Sequence, residues 1–192
     1  MQVHRTVRSL YQLIWQPKPD APIQSAQSSK WHSAIRWVLP TDLAIGSLPK
    51  LGSRASLTEA GIKAILSLCA PSEGQLPEEV VQNFRCHRFI LPDSQFIAGL
   101  QAHQLATAVE IIHQSIQSGE PIYVHCLAGI ERSPTVCIAY LCRYHHLELW
   151  EAINCLKQAH ARSMPTNAQI QVIREFLEIR PAAAEEEIAH WN

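Results

Sequence analysis

Nine consecutive residues, His125, Cys126, Leu127, Ala128, Gly129, Ile130, Glu131, Arg132 and Ser133, put a thiol, a small-residue turn, a guanidinium and a hydroxyl into one short run. The β-type residues Ile122 to His125 precede the run and Pro134 follows it, so it reads as a loop between a strand and a helix opening near Arg132. Ser133 is the expected helix cap. Such a loop turns successive backbone N–H groups inward, while the helix aims its positive end at the same spot. Gly129 supplies a backbone conformation closed to other residues and is expected to leave the cup unfilled. Arg132 can grip two oxygens of a tetrahedral anion, and the same field favours a thiolate at Cys126. In-line attack by that sulfur on a phosphate would give a cysteinyl-phosphate, its equatorial oxygens held by Arg132 and the loop amides. No metal or cofactor is needed. Ser133 can donate a hydrogen bond to the sulfur as it leaves, and His125 is expected to order the loop by hydrogen bonding and not to shuttle protons.

Expelling an alkoxide or phenoxide requires a proton from outside the loop. The stretch Phe89, Ile90, Leu91, Pro92, Asp93 offers a carboxylate in a Pro-containing loop after an expected strand, 126 − 93 = 33 residues before the thiol. Glu131 is the alternative, though its position suits the rim of the cup, and Asp42 reads as a turn residue. Taken singly, a cysteine at a strand end is usually core and an arginine at a helix start is usually a solvated charge; together, between a strand and a Pro-opened helix, they point to a site.

Positioning these groups requires a sheet. Trp37 to Leu39 and Leu43 to Ile45 read as the arms of an edge hairpin, and residues 63–69 and 85–90 as further strands. Ser56, Leu57, Thr58, Glu59 form a capping-box pattern expected to open a short helix. Helices are expected at about 100–117, 134–145, 148–161 and 167–178. Strands alternating with helices predict a single α/β domain: a central, mostly parallel, twisted sheet flanked by helices, with the phosphate-binding loop between a strand and a helix N-terminus. We place this domain at 36–180. Residues 1–35 read as an amphipathic segment (Val7, Leu10, Tyr11, Ile14) followed by a Pro- and Ser-rich linker, and 181–192 as a tail. The readings of the N-terminal segment are packing on the domain or disorder, docking on a partner or membrane surface, and organelle targeting.

The 192 residues are 47% hydrophobic and 17% charged with a formal charge of -1, which predicts a packed core and gives no footprint of a nucleic-acid binder. No apolar run is long enough to span a bilayer and no secretory signal opens the chain, so a monomer in the cytoplasm is expected. The six cysteines lack zinc-site spacing and read as thiols.

The run from His125 to Ser133 resembles the H-C-x5-R-[S/T] signature of cysteine-dependent protein phosphatases, and its Ala-Gly pair and the short chain resemble their dual-specificity branch. The resemblance covers about residues 37–178. It implies that Cys126 is the nucleophile, that Leu127 to Arg132 bind phosphate, and that Asp93 is the general acid. It also suggests a supporting role for Asn167, in a stretch (Pro165, Thr166, Asn167, Ala168, Gln169) similar to the start of the family's last helix. Members acting on inositol lipids usually carry lysines in the loop, where this chain has Leu127, Ile130 and Glu131. Phosphotyrosine, phosphoserine or phosphothreonine on a protein is therefore the expected substrate. The alternatives are a phosphoinositide, sugar or glucan phosphate, a phosphoprotein-binding pseudoenzyme, and a sulfur-transfer or arsenate-reducing enzyme with a similar loop.

Overall fold

A computed structural model describes residues 35–94 and 99–179. The expected N-terminal helix and linker, and the C-terminal tail, lie outside the described residues.

Five strands, β1 (Arg36–Leu39), β2 (Leu43–Ser47), β3 (Ala64–Ser67), β4 (Arg85–Arg88) and β5 (Ile122–Cys126), form one sheet in the order β1-β2-β5-β3-β4. β1 runs antiparallel to β2, and every other pairing is parallel. Among the described residues six helices accompany them: α1 (Ser53–Glu59), α2 (Glu78–Val81), α3 (Ala102–Gln117), α4 (Arg132–Tyr144), α5 (Leu149–Ala159) and α6 (Asn167–Glu178). This is the α/β architecture read from the alternation of strand and helix patterns.

Both faces of the sheet are covered, and residue parity divides them. Leu43, Ile45, Ala64, Leu66, Ile122, Val124 and Cys126 belong to the core that also contains Leu105, Ile112, Val136 and Ile173 from α3, α4 and α6. Ala44, Ile65 and Tyr123 point the other way, onto Leu57 of α1 and Val80 of α2. Parallel pairing brings the C-terminal ends of β2, β3, β4 and β5 to one edge, with Ser47 opposite Cys126 and Ser67 opposite His125. Loops leaving that edge are where open α/β sheets bind ligands.

Three local expectations are corrected. α1 starts at Ser53, not Ser56: Gly52 takes a left-handed conformation before it (φ 87°), and the Ser56 hydroxyl donates to Ser53 O within the helix instead of capping it. The strands expected at 63–69 and 85–90 are shorter, Ala64–Ser67 and Arg85–Arg88. α4 opens at Arg132 with Glu131 at its N-cap, so Ser133 lies inside the helix and does not cap it.

Candidate active site

β5 ends at Cys126 and α4 begins at Arg132, so residues 127–131 have to reverse the chain between a buried strand and a buried helix. Two of the loop's carbonyls are drawn outward. Leu127 O accepts from Leu48 N (3.2 Å), and Ile130 O from Met164 N (2.7 Å). Among the described residues, the amides of Leu127, Ala128, Gly129, Ile130 and Glu131 donate to no other group. Outward carbonyls and uncommitted amides are what an anion cradle requires. Leu127 and Ala128 are exposed, Ile130 and Glu131 half-buried and Gly129 buried.

Gly129 takes the backbone conformation expected of it, but the room left by its missing Cβ serves a different purpose. Its φ is +72°, and a Cβ there would lie 2.7 Å from both C and O of Gly46 on β2. It lets the loop lie against the sheet backbone; keeping the cup open is not its task. Gly129→Ala is expected to destabilise the chain by at least about 2 kcal/mol and to displace the loop, read by denaturant unfolding and by loss of activity. A loss below about 0.5 kcal/mol would contradict this packing.

Cys126 is 3% exposed, on the sheet face that meets α4. The Ser133 hydroxyl donates to its sulfur at 3.4 Å from inside the first turn of that helix. The helix N-terminus therefore lies against the sulfur, and its partial positive charge favours an anion there. Burial pushes the thiol of Cys69 up to about 11 and that of Cys142 up to about 12, so those thiols stay protonated at neutral pH. All six cysteines are free.

His125, one position earlier, points to the opposite face, where it stacks beside Tyr123 with ring centroids 6.0 Å apart. The structure does not bring it into the cup. Its Nδ1 lies 3.3 Å from the Cys126 carbonyl, while Nε2 has no partner among the described residues. Burial lowers its pKa from 6.5 to about 4, opposed by the Cys126 carbonyl. The unfolded chain thus takes up this proton before the folded one, and stability should fall by about 3 kcal/mol as pH drops from 6.5 to about 4. Urea midpoints measured across that window should fall less steeply in His125→Gln; equal slopes would argue against a buried neutral imidazole.

Arg132 is 2% exposed and meets carboxylates from two other loops. Nη1 and Nη2 donate to Oε2 and Oε1 of Glu73 at 2.9 and 2.5 Å, and Nη2 lies 3.0 Å from Asp93 Oδ2. Nη1 also reaches Leu68 O (3.4 Å) and Leu91 O (3.3 Å). Burial opposes the guanidinium charge, but the hydrogen bond and charge of Glu73, with the neighbouring sulfurs, more than offset it and raise the pKa. The arginine expected to grip a phosphate is also the knot tying the loops after β3 and β4 to the loop after β5.

Asp93 is thus brought to the site, 29% exposed beside Arg132. Glu131 stands at the N-cap without a side-chain cap bond, and Asp42 lies in the β1–β2 turn. Asn167 is not brought in. It is exposed in the first turn of α6, and Thr166 caps that helix by accepting from Gln169 N, so the link to the cradle is the backbone of Met164.

Glu73 escaped the sequence reading. The readable signal was its place: a carboxylate in the Ala70, Pro71, Ser72, Glu73, Gly74 turn just after a fully buried parallel strand, where ligand-binding groups collect. The Ala70 amide donates to Glu73 Oε2 at 2.8 Å, and the Arg132 hydrogen bond, opposed by burial, holds this carboxyl below the usual range.

Residues 44–179 match the family described as dual specificity phosphatase, catalytic domain. Phosphatidylglycerophosphate phosphatase PTPMT2 of Arabidopsis thaliana is 25% identical over 158 residues, covering 81% of this chain and 69% of that protein. Dual specificity protein phosphatase 9 of Homo sapiens is 30% identical over 128 residues, 67% of this chain and 32% of that protein, so the chain spans about a third of it. The crystal structure of Tk-PTP in the active form superposes with a TM-score of 0.68 at 20% identity, covering 78% of this chain and 99% of that one, a likeness of fold. A family match that includes the sheet from β2 onward, the cradle and every described helix places this chain in the dual specificity phosphatase family, the cysteine-based phosphatases.

Proposed function

We propose that the chain hydrolyses singly phosphorylated monoesters on proteins, phosphotyrosine and phosphoserine or phosphothreonine, through a cysteinyl-phosphate. One observation carries this reading: the Cys126 sulfur lies at the base of a loop of uncommitted amides, against the N-terminus of α4, with Arg132 beside it. The sulfur attacks phosphorus in line while the amides and Arg132 take the equatorial oxygens. Asp93 delivers a proton to the leaving oxygen, and water then cleaves the S–P bond while the Ser133 hydroxyl stabilises the departing sulfur. No side chain from Leu127 to Glu131 is cationic, which disfavours a second phosphate beside the first.

A second reading, a lipid phosphomonoester, is supported by the apolar mouth. Leu127 is 47% exposed, as is Met164 at 63%, and the Arabidopsis relative is named for a lipid substrate. Among the described residues no helix is long and apolar enough to cross a membrane. The two readings separate in a kinetic screen of phosphopeptides against phosphatidylglycerophosphate and phosphoinositides in mixed micelles. Higher kcat/KM on the lipids would overturn the protein reading.

The same screen tests the acid. Asp93→Ala is expected to lower kcat for alkyl phosphates by about 10² to 10⁴ and for aryl phosphates with good leaving groups far less. Equal losses for both would remove Asp93 from the proton transfer.

A further inference from the structure

A guanidinium has five N–H protons, and the surroundings of Arg132 divide them unequally. The end formed by Nη1 and Nη2 is forked onto Glu73, and Nη1 also leans on the carbonyls of Leu68 and Leu91. That end is committed to the fold. A second forked grip must use the side formed by Nε and the remaining Nη2 proton. Nε donates to no other described residue, whereas Nη2 is 3.0 Å from Asp93 Oδ2. Asp93, paired with Nη2 as an ion, and a phosphate oxygen therefore compete for the same end of the guanidinium.

We propose that Asp93 holds the phosphate's position on Arg132 before substrate binds and is displaced by the incoming phosphate, so that binding itself releases the acid. The inference rests on the phosphatase reading above and adds a second role to one of its residues. The handover moves the Asp93 carboxylate while the backbone two residues before it stays in place. Leu91, two residues earlier, is pinned at both ends of its peptide unit, its N–H donating to Leu68 O (3.1 Å) and its carbonyl accepting from Arg132 Nη1 (3.3 Å). The Asp93 side chain, 29% exposed, has solvent to turn into. A monoester dianion carries more charge than one carboxylate and can use Nε, Nη2 and the loop amides together, so it outcompetes Asp93. The same contact weakens the hold on phosphate after turnover, which favours product release.

Binding of inorganic phosphate to the full chain, by titration calorimetry, tests this. Asp93→Ala should bind phosphate about tenfold tighter than the unsubstituted chain, the expected effect of removing a carboxylate that competes for the guanidinium charge at 3.0 Å. Asp93→Asn should fall between them. Any lost negative charge nearby helps an anion, so Glu131→Gln, a carboxylate beside Arg132 in the chain without a bond to it, sets that background at about two- to threefold. Raising salt from about 0.05 to about 0.5 M should erase the Glu131 effect and leave most of the Asp93 effect. Phosphate affinity that is unchanged or weaker in Asp93→Ala, or a gain no larger than that of Glu131→Gln, overturns the proposal. Aryl phosphate turnover in the same preparations keeps the two readings apart. Absent turnover in the unsubstituted chain defeats the catalytic reading, while normal turnover with a flat phosphate response defeats the handover alone.

Discussion

Replacing Cys126 by serine is expected to reduce turnover of an aryl phosphate by at least about 10⁴-fold while leaving the fold intact. The substitution exchanges sulfur for a smaller oxygen at a 3% exposed position, so stability should change by no more than about 1 kcal/mol. Chemistry is what it removes. An alcohol stays protonated at neutral pH even against the first turn of α4, and no described group near it acts as its base: His125, the adjacent imidazole, points to the other face of the sheet with its ring beside Tyr123. Trapping of phosphate-labelled protein by acid quench should succeed for the unsubstituted chain and fail for Cys126→Ser. Residual turnover above about 1% in the variant would mean that another group attacks phosphorus.

The second large effect is expected from Glu73→Ala. Arg132 is 2% exposed, and removing the carboxylate that forks onto it leaves a buried guanidinium supported mainly by carbonyls and Asp93. Breaking one side of a buried pair costs about 3 to 5 kcal/mol, and the lower figure applies here because Glu73 keeps 19% of its side chain in solvent. Arg132 would also lose its alignment, lowering kcat/KM by about a hundredfold. The pH dependence identifies the cause. The Arg132 hydrogen bond holds the Glu73 carboxyl below 4.5 in the folded chain, so its contribution is complete above that pH and is lost as pH falls through the folded value. The stability difference between the two proteins, from urea unfolding, should therefore shrink between pH 7 and pH 3. The acid response of His125 is common to both and cancels. A difference unchanged at pH 3 would place the effect in packing instead of the ion pair.

Much of this was legible along the chain because its causes are local. The order thiol, turn, guanidinium, hydroxyl follows one strand-to-helix turn, so sequence spacing alone brings Cys126, the loop amides and Ser133 together. Asp93 was legible as well, by its place after a strand, although its contact with Arg132 spans two loops. Period-two and helical patterns placed β1, β2, β5 and the four long helices within a few residues, since burial of alternate or every-third positions leaves that record in composition. α2, four residues long, carried too short a pattern to register.

What only the tertiary structure decided depends on contacts between segments far apart in the chain. Glu73 meets Arg132 across 59 positions because β3 and β5 lie side by side with parallel ends, a pairing that residue spacing does not encode. Gly129 is required by the approach of Gly46, which belongs to the strand on the other side of β5. The hydroxyl of Ser133 serves the sulfur instead of a helix end because α4 begins two residues earlier than a Ser133 cap would have it. In each case the residue type was visible, but its role was set by which backbone or charge the sheet order laid against it.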